Sequence, residues 1–208
     1  MPLSPQGDIR PARPDDWPEL AALWRRSVEA THHFLQPSDL ERIAAAMPRV
    51  YLPAMRELWL LEREGCPLGF RGGDALRVEM LFVDPPFFGQ GVGRALLRHA
   101  CAGKRRVELD VNEQNAGARA FYARLGFRVC GRSPVDNDGR PYPLLHLVWE
   151  ADGGRAQPFR SEARKGVLVN LPPKPPSLPQ RVFSGEDSGA RGSFASQGKR
   201  SMYSLFVL

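Results

Sequence analysis

The stretch that decides the fold runs from Val78 to Cys101 and reads VEMLFVDPPFFGQGVGRALLRHAC. Its first part is apolar from Glu79 to Val83 after the leading carboxylate, which predicts a short buried strand. Asp84 and the two prolines behind it end this strand, because proline donates no backbone hydrogen bond. A glycine-rich loop then leads into an apolar-periodic run, which predicts a helix that ends near Gly103.

The glycine loop, from Phe88 to Arg94, has the composition of a phosphate-binding loop. Such a loop, where it opens a helix, offers unpaired backbone amides at the positive end of the helix dipole. The dinucleotide fingerprint fails because it requires a third glycine where Arg94 stands, and the sequence holds no GxxxxGK(S/T) string. Taken alone, the loop leaves two alternatives open: a phosphate site, or a tight turn whose glycines serve packing.

The same loop resembles the coenzyme A binding motif of the GNAT superfamily of N-acetyltransferases, written (R/Q)xxGx(G/A). Gly91 and Gly93 match this motif, while Phe88 stands where Arg or Gln is usual. Further along, VNEQNAGARAFYARLGF at residues 111–127 resembles the superfamily segment NxxNxxAxxFYxxxGF. Two motifs in this order indicate a member of the superfamily. The residues in register in the second motif are Asn112, Asn115, Ala118, Phe121, Tyr122, Gly126 and Phe127.

Two other segments narrow the resemblance to a group of small, single-domain bacterial acetyltransferases. They are SVEATHHFL in the first third of the chain and GRSPVDNDGRPYPLLHL near residue 140, so the match covers roughly residues 8–150. The resemblance implies an α/β fold with a mixed, mostly antiparallel central sheet of about six to seven strands. This sheet is expected to splay between strands four and five and to be flanked by about four helices.

Periodicity predicts two helices ahead of the glycine loop. Asp15 or Asp16 is expected to cap the first, and a second is predicted from Ser38 to Met47, ending before Pro48. The residues predicted to point inward are Leu20, Leu23, Trp24, Ser27 and Val28 in the first helix and Leu40, Ile43 and Ala44 in the second.

Short alternating or apolar runs predict the remaining strands. Gly72 and Gly73 predict that the third strand is short or distorted, since glycine weakens a strand. Asn115 is expected to cap a helix that Gly126 ends. The predicted strands begin at Ile9, cover Leu58–Leu61, Leu68–Phe70, Glu79–Val83 and Val107–Val111, begin again at Phe127, and cover Leu144–Trp149.

Charge and cysteine content exclude several classes of protein. The chain of 208 residues has a net charge of +6, but residues 1–151 hold 20 Lys and Arg against 19 Asp and Glu, so we expect no specific nucleic-acid partner. The three cysteines form no CxxC pair, which indicates no zinc site and favours a reducing cytoplasm. No apolar run reaches the length of a membrane span or a signal peptide, so we expect no membrane association.

The composition changes at Ala151, which predicts a domain over residues 1–151 and a disordered, basic tail over residues 152–208. This tail is rich in Gly, Pro, Ser, Gln and Arg and includes LPPKPPSLPQ. Three interpretations stay open: a peptide-binding tail, a basic arm that touches nucleic acid, or an extension read past an ancestral stop. The last is favoured because the domain of the resembling family ends near Glu150.

The resemblance implies transfer of an acetyl group from acetyl coenzyme A to a primary amine by direct attack in a ternary complex, with no metal. A lysine-like amine has a pKa near 10.4, so forming the neutral nucleophile at pH 7 costs about 4.6 kcal/mol and calls for a base. Glu79 is the candidate base, and Tyr122 occupies the position of the general acid. Their structural alternatives are an exposed carboxylate at a strand end and a core side chain beside Phe121.

The resemblance also assigns the cofactor and acceptor contacts. It places pantetheine along strand four and the pyrophosphate on the glycine loop. The implied coenzyme A contacts are Leu81, Phe82, Val83, Phe88, Gly89, Gln90, Gly91, Val92, Gly93, Arg94, Asn112, Asn115 and Tyr122. The implied acceptor contacts are His32, His33, Phe34 and Tyr142, with His146 nearby.

Alternatives to this function stay open. If His32 and His33 do not contact the acceptor, one of them packs in the core or caps a helix and the other is exposed to solvent. A non-catalytic acyl coenzyme A binding module would keep the glycine loop and dispense with the acid and base. The acceptor amine and the choice between monomer and homodimer are beyond the sequence.

Overall fold

The structure is a computed structural model, and it describes residues 7–151. The predicted tail over residues 152–208 lies outside the described residues. The strands are β1 (Asp8–Pro11), β2 (Glu57–Arg63), β3 (Cys66–Gly73), β4 (Arg77–Val83), β5 (Arg106–Asn112), β6 (Arg128–Ser133) and β7 (Leu144–Glu150). The four longer helices of the described part are α1 (Trp17–Thr31), α2 (Pro37–Ala46), α3 (Val92–Cys101) and α4 (Ala116–Arg124).

The strands form one seven-stranded sheet in the order β1-β2-β3-β4-β5-β7-β6. Every neighbouring pair is antiparallel except β4 and β5, which are parallel. A parallel pair needs a crossover connection, and α3 supplies it. The predicted mixed, mostly antiparallel sheet of the GNAT fold is therefore confirmed.

Helices cover both faces of the sheet and bury an apolar cluster on each. On the first face, α3 and α4 pack with Leu96 and Tyr122 against inward residues of β4, β5 and β7. On the second face, α1 and α2 pack with Trp24 and Ile43 against β2, β3 and β4. Burying apolar side chains of this size contributes about 1.5–3 kcal/mol each, so both clusters hold the sheet that carries the site.

The prediction that β3 is short or distorted is confirmed only in its second part. The strand is not short, because it has eight residues that are all buried after the first. It is distorted at Leu68, which is an extra residue, because Leu61 is opposite Gly69 and Glu62 is opposite Pro67. Its glycines are needed for close packing: a Cβ at Gly69 would lie 2.7 Å from the Phe82 carbonyl oxygen, and one at Gly72 would lie 2.8 Å from Met55 Cγ. Arg71, the polar residue between them, is buried and donates to Glu57 at 3.3 Å.

A second irregularity lies in the partner strand β4, at Glu79. Gly72 is opposite Met80 and Gly73 is opposite Val78, so Glu79 is one extra residue in β4, which is a β-bulge. Gly73 makes this possible, because a Cβ there would lie 2.1 Å from the carbonyl oxygen of Arg77 and 3.1 Å from the Glu79 nitrogen. The bulge therefore re-aims the one carboxylate that the sequence singled out on this strand.

Replacing Gly73 with alanine is expected to destabilise the fold by about 1–3 kcal/mol, because the backbone of β4 must move to admit the methyl group. Urea unfolding measures this as a lower midpoint. The matched control is Gly117→Ala on α4, where the new Cβ meets only Asn115 Oδ1 at 3.6 Å and alanine favours the helix. Equal midpoints for the two variants would contradict the packing role of Gly73.

One helix prediction needs correction. Asp16 precedes α1, but its carboxylate accepts from the Arg13 backbone at 2.7 Å and pairs with Arg10, so it caps the preceding turn and not α1. The predicted second helix is confirmed within one residue at each end, because α2 ends at Ala46, before Pro48, and a wide helical turn then follows over Met47–Tyr51. Proline is tolerated at the start of that turn, where its missing N–H is not needed.

The other helix predictions agree with the structure. All five residues predicted to point inward from α1 are buried, and in α2 Ile43 is buried while Leu40 and Ala44 are half-buried against the second cluster. Asn115 caps α4, with its side chain accepting from the Ala118 nitrogen at 3.0 Å.

Candidate active site

The sheet opens between β4 and β5. The two strands pair only at Arg77 with Glu108 and at Val78 with Leu109, although β4 continues to Val83. Beyond Val78 the strands separate, so the facing edge of β4 has no strand partner there. The predicted splay between strands four and five is confirmed.

Backbone alternation shows which groups of β4 face this opening. The Asp84 nitrogen donates to the Leu68 carbonyl of β3 at 2.9 Å. Because successive backbone groups of a strand point to opposite edges, those of Phe82 also face β3, while those of Leu81 and Val83 face the opening. Phe82 contributes its side chain instead, which meets Trp24 edge-on with ring centroids 6.3 Å apart.

Three buried polar side chains lie at the end of β5 and in the helix that follows it: Asn112 ends β5, Asn115 caps α4 and Tyr122 lies within α4. Both amide atoms of Asn112 are without a hydrogen-bond partner in the described part of the chain, as are Asn115 Nδ2 and the Tyr122 hydroxyl. Asn112 and Tyr122 are 0% exposed. A buried polar group without a partner costs about 1–3 kcal/mol, so these atoms point to a polar ligand that would satisfy them.

Tyr122 lies in the first cluster, between two aromatic rings. Its ring centroid is 5.1 Å from that of Phe121 and 5.7 Å from that of Phe127, both in edge-on arrangements. Burial raises the pKa of Tyr122 well above its usual value near 10. The phenol is therefore protonated at neutral pH and able to donate. The ring of Tyr122 therefore packs in the core, as one alternative expected. Its hydroxyl has no partner among residues 7–151, so it stays available for the functional role that the other alternative expected.

The glycine loop turns the chain sharply from β4 into α3. Gly89 and Gly91 have φ of 73° and 87°, a region that favours glycine, and Gly91 is the residue that precedes the helix. The backbone N–H groups of Val92, Gly93 and Arg94 form the first turn of α3, where helical geometry supplies no intrahelical acceptor. They can therefore bind an anion.

The side chains of the loop add little to this site. Phe88 is 39% exposed, and Arg94 is exposed beside the first turn of α3. Gln90 uses its amide to donate to the Pro86 carbonyl at 2.8 Å. Gly93 has a packing role as well, because a Cβ there would lie 3.3 Å from Phe121.

An ion pair that the sequence did not indicate holds the start of this loop. Arg26 of α1 binds both carboxylate oxygens of Asp84, at 3.0 and 2.8 Å. Asp84 is buried and follows β4 directly. The bidentate geometry fixes α1 against the turn into the glycine loop.

The predicted acceptor residues come together on the second face of the sheet, with one exception. Phe34 lies between His32 and Tyr142, with ring centroids 5.3 and 6.3 Å away. The Tyr142 hydroxyl donates to Asp39 at 2.7 Å and accepts from the Gln36 backbone at 3.2 Å. The loop before β7 is thereby tied to α2, while His33 points out and is exposed.

His32 is buried, and burial lowers its pKa from 6.5 to about 4. Its Nδ1 lies 2.8 Å from the Thr31 hydroxyl. The imidazole is therefore neutral at physiological pH, and it packs as an uncharged ring against Phe34.

Glu79 is buried, which corrects the alternative of an exposed carboxylate at a strand end. It pairs with Arg77 Nε at 3.1 Å, and the same guanidinium binds Asp110 of β5. Asp110 in turn contacts His146 Nδ1 at 2.7 Å. Glu79 is thus one end of a polar chain that crosses from β4 to β7, and sequence reasoning did not foresee its other members.

Within residues 7–151, no group of three or more His, Cys, Asp or Glu is placed to hold a metal ion. All three cysteines are free thiols. None of the described helices combines the length and the apolar character that crossing a membrane requires.

Comparison with known proteins identifies the fold and its chemistry. A family described as acetyltransferase (GNAT) domain matches residues 55–129. Peptidyl-lysine N-acetyltransferase YjaB of Escherichia coli (strain K12) is 42% identical over 145 residues, which span 68% of this chain and 95% of that protein. This chain belongs to the GNAT acetyltransferases. The GNAT enzyme is an N-acetyltransferase, as its YjaB relatives are named.

Solved structures agree with this assignment. The solution structure of apo-form YjaB from Escherichia coli shares 40% identity with the GNAT enzyme, with a TM-score of 0.64 over 69% of this chain and 97% of that one. The PaiA N-acetyltransferase of Thermoplasma acidophilum, solved in complex with coenzyme A, has a TM-score of 0.55 at 17% identity and covers 70% of this chain and 99% of its own. The latter likeness shows a shared fold.

Proposed function

We propose that this enzyme moves the acetyl group of acetyl coenzyme A to a primary amine by direct attack in a ternary complex. The observation that carries the proposal is the set of buried, unpartnered polar atoms on Asn112, Asn115 and Tyr122 beside the opening in the sheet. Amide and thioester groups of a pantetheine arm have the donors and acceptors that these atoms lack.

The cofactor would lie along β4 and end at the glycine loop. The backbone groups of Leu81 and Val83 face the opening and would pair with the pantetheine amides, as a further strand would. The pyrophosphate would meet the amides of the first turn of α3, with Arg94 as the nearby cation. Phe88 carries no charge, so the phosphates would be bound mainly by backbone N–H groups.

The chemistry would divide between the two sides of the thioester. Glu79, through a water, would take a proton from the attacking amine, and the Leu81 amide would stabilise the oxyanion because it faces the opening. Tyr122 would donate its proton to the leaving thiolate. Proton transfer by a positioned side chain contributes about 10²–10⁴-fold to a rate.

The acceptor side supports a lysine side chain of a peptide or protein, the acceptor class in the YjaB name. Phe34 and neutral His32 would line the path of the aliphatic stem, with Tyr142 behind them and exposed His33 at the entrance. The acetyltransferase domain would comprise residues 1–151, act as monomer or homodimer, and work in the cytoplasm without a metal.

The test is initial-rate kinetics with acetyl coenzyme A and a panel of amines, including lysine peptides, read as free thiol. We expect thiol release that depends on a lysine peptide, with intersecting double-reciprocal lines for the two substrates. Parallel lines would contradict the ternary complex. Binding of acetyl coenzyme A without thiol release from any amine would favour the acyl coenzyme A binding module.

A further inference from the structure

One carboxylate joins the loop before β7, residues 134–143, to the start of α2. Asp39 lies in the first turn of α2 and accepts from the Tyr142 hydroxyl at 2.7 Å. Arg140 Nη1 lies 3.6 Å from the other oxygen of the same carboxylate. The backbone N–H of Gln36, just ahead of α2, donates to the Tyr142 oxygen at 3.2 Å. We call the contacts of Asp39 with Tyr142 and Arg140 the Asp39 tie.

The loop is itself folded around a second carboxylate, that of Asp136, which is 7% exposed. One oxygen of Asp136 accepts from the backbone N–H groups of Asp138 and Arg140, at 2.9 and 2.8 Å. The other oxygen pairs with Arg140 Nε at 2.7 Å. Because Arg140 is held inside the loop and also reaches Asp39, the tie acts on the loop as a unit.

The charges of the two partners strengthen the tie. The hydrogen bond from Tyr142, followed by that from Arg42, lowers the pKa of Asp39 below its usual value. Burial, followed by the bond to Asp39, raises the pKa of Tyr142. At neutral pH a protonated phenol therefore donates to an ionised carboxylate, which is a charge-assisted hydrogen bond.

The tie supports the wall on which the predicted acceptor residues lie. Tyr142 is 4% exposed, and its ring packs against that of Phe34, in the connection between α1 and α2. Both residues belong to the second cluster, which also holds Met80 and Phe82 of β4. The Tyr142 hydroxyl has one hydrogen and gives it to Asp39, so the oxygen serves the tie while the ring supports Phe34.

We propose, on the basis of the proposed function, that Asp39 is a positioning residue for the acceptor lysine. By holding Tyr142 and the 134–143 loop against Phe34, it makes two distant segments into one preformed wall for the aliphatic stem. Asp39 acts through Tyr142 and Phe34 and does not contact the reacting atoms. A preformed wall binds the stem alike before and during the reaction, so the effect falls on KM for the acceptor and not on kcat.

The experiment compares three variants with the wild type in the full chain, using acetyl coenzyme A and a lysine peptide. Asp39→Ala removes the tie, Tyr142→Phe removes only the hydroxyl, and Asp39→Asn keeps an oxygen that can accept from Tyr142. We expect KM for the peptide to rise about tenfold in Asp39→Ala and Tyr142→Phe, and by a smaller factor in Asp39→Asn. The kcat and the Kd for acetyl coenzyme A should stay within about threefold.

Glu41→Ala is the matched control, because this carboxylate also lies on α2 but pairs with Arg25 of α1. It should keep the wild-type KM for the peptide. The double variant of Asp39→Ala with Tyr142→Phe should bind the peptide no more weakly than Asp39→Ala, since both remove one contact. Losses that multiply in the double variant would overturn the positioning role. So would a wild-type KM in the folded single variants, or an equal rise in the Kd for acetyl coenzyme A.

Hydrogen exchange tests the tie without turnover. The backbone amides of residues 32–40 and 134–143 should exchange faster in Asp39→Ala than in the wild type or Glu41→Ala, measured by mass spectrometry. Unchanged exchange would show that the two segments hold together without Asp39, and would overturn the proposal. If exchange rises but the wild type releases no thiol with any amine, the tie stands, while the proposed function and the role of Asp39 toward lysine fail.

Discussion

Tyr122→Phe is expected to lower kcat by about a hundredfold to ten-thousandfold, the usual contribution of a positioned acid. The variant keeps the ring between Phe121 and Phe127 and removes only the oxygen. Acetyl coenzyme A should bind as before, because the effect concerns the leaving thiolate. The measurement is the rate of thiol release at saturating concentrations of both substrates.

The stability of the Tyr122→Phe variant should not fall with its activity. The Tyr122 hydroxyl is buried without a partner in the described part of the chain, so its removal is expected to leave the free energy of unfolding unchanged or raise it by up to about 1–3 kcal/mol. Tyr51→Phe, on the half-buried edge of the second cluster, is the matched control and should keep wild-type activity. A Tyr122→Phe enzyme that acetylates at the wild-type rate would remove the general-acid assignment.

Asn112→Leu is expected to weaken acetyl coenzyme A binding about tenfold to a hundredfold. Both polar atoms of this 0% exposed side chain lack partners in residues 7–151, so two hydrogen bonds to the cofactor would be lost, each worth about 0.5–1.5 kcal/mol. Leucine has a similar volume and leaves no unpaired amide, so the fold should be no less stable. Calorimetric titration with acetyl coenzyme A measures the change.

The neighbouring asparagine provides the contrast. Asn115 caps α4 through its side-chain oxygen, so Asn115→Ala should cost about 0.5–2 kcal/mol of stability. Asn112→Leu should not. If Asn112→Leu instead unfolds at lower urea and binds the cofactor normally, the side chain has a structural role and the pantetheine contact is wrong.

Local patterns predicted the parts of the site that lie within one segment. The apolar run from Glu79 to Val83, the glycines before α3 and the Asn115 cap each depend on residues close in sequence, and the structure has them in place. The two motifs also predicted that β4 and β5 splay apart, because this feature is implied by the resemblance to the GNAT superfamily.

Other side-chain positions in the sheet depend on β-bulges, and the alternation of polar and apolar residues does not reveal where a bulge lies. One extra residue shifts all later side chains of a strand to the other face. The sequence predicted a short or distorted β3 at Gly72 and Gly73, whereas the extra residue at this point is Glu79 of β4, for which Gly73 makes room. Cys130 is likewise an extra residue in β6, and it places Ser133 beside His146, which counting along β6 does not predict.

Ion pairs between residues that are distant in the chain could not be predicted from the sequence either. Arg26 and Asp84 are distant in sequence and nothing in either segment names the other, and the same holds for Arg77 and Asp110. The alternation in β5 gave no signal, because Asp110 occupies a polar position between Leu109 and Val111 and the pattern does not show that it is buried. Its partners became visible only in three dimensions.

In the proposed function, the polar opening between β4 and β5 holds acetyl coenzyme A, and the acetyl group is delivered there to an amine. The most direct measurement follows free thiol and acetylated lysine peptide in the same reaction, by thiol titration and mass spectrometry. We predict that the two products form in equal amounts with the wild type and that both are lost together in Tyr122→Phe. Thiol release without peptide acetylation, or a cofactor that binds and stays intact, would contradict the claim.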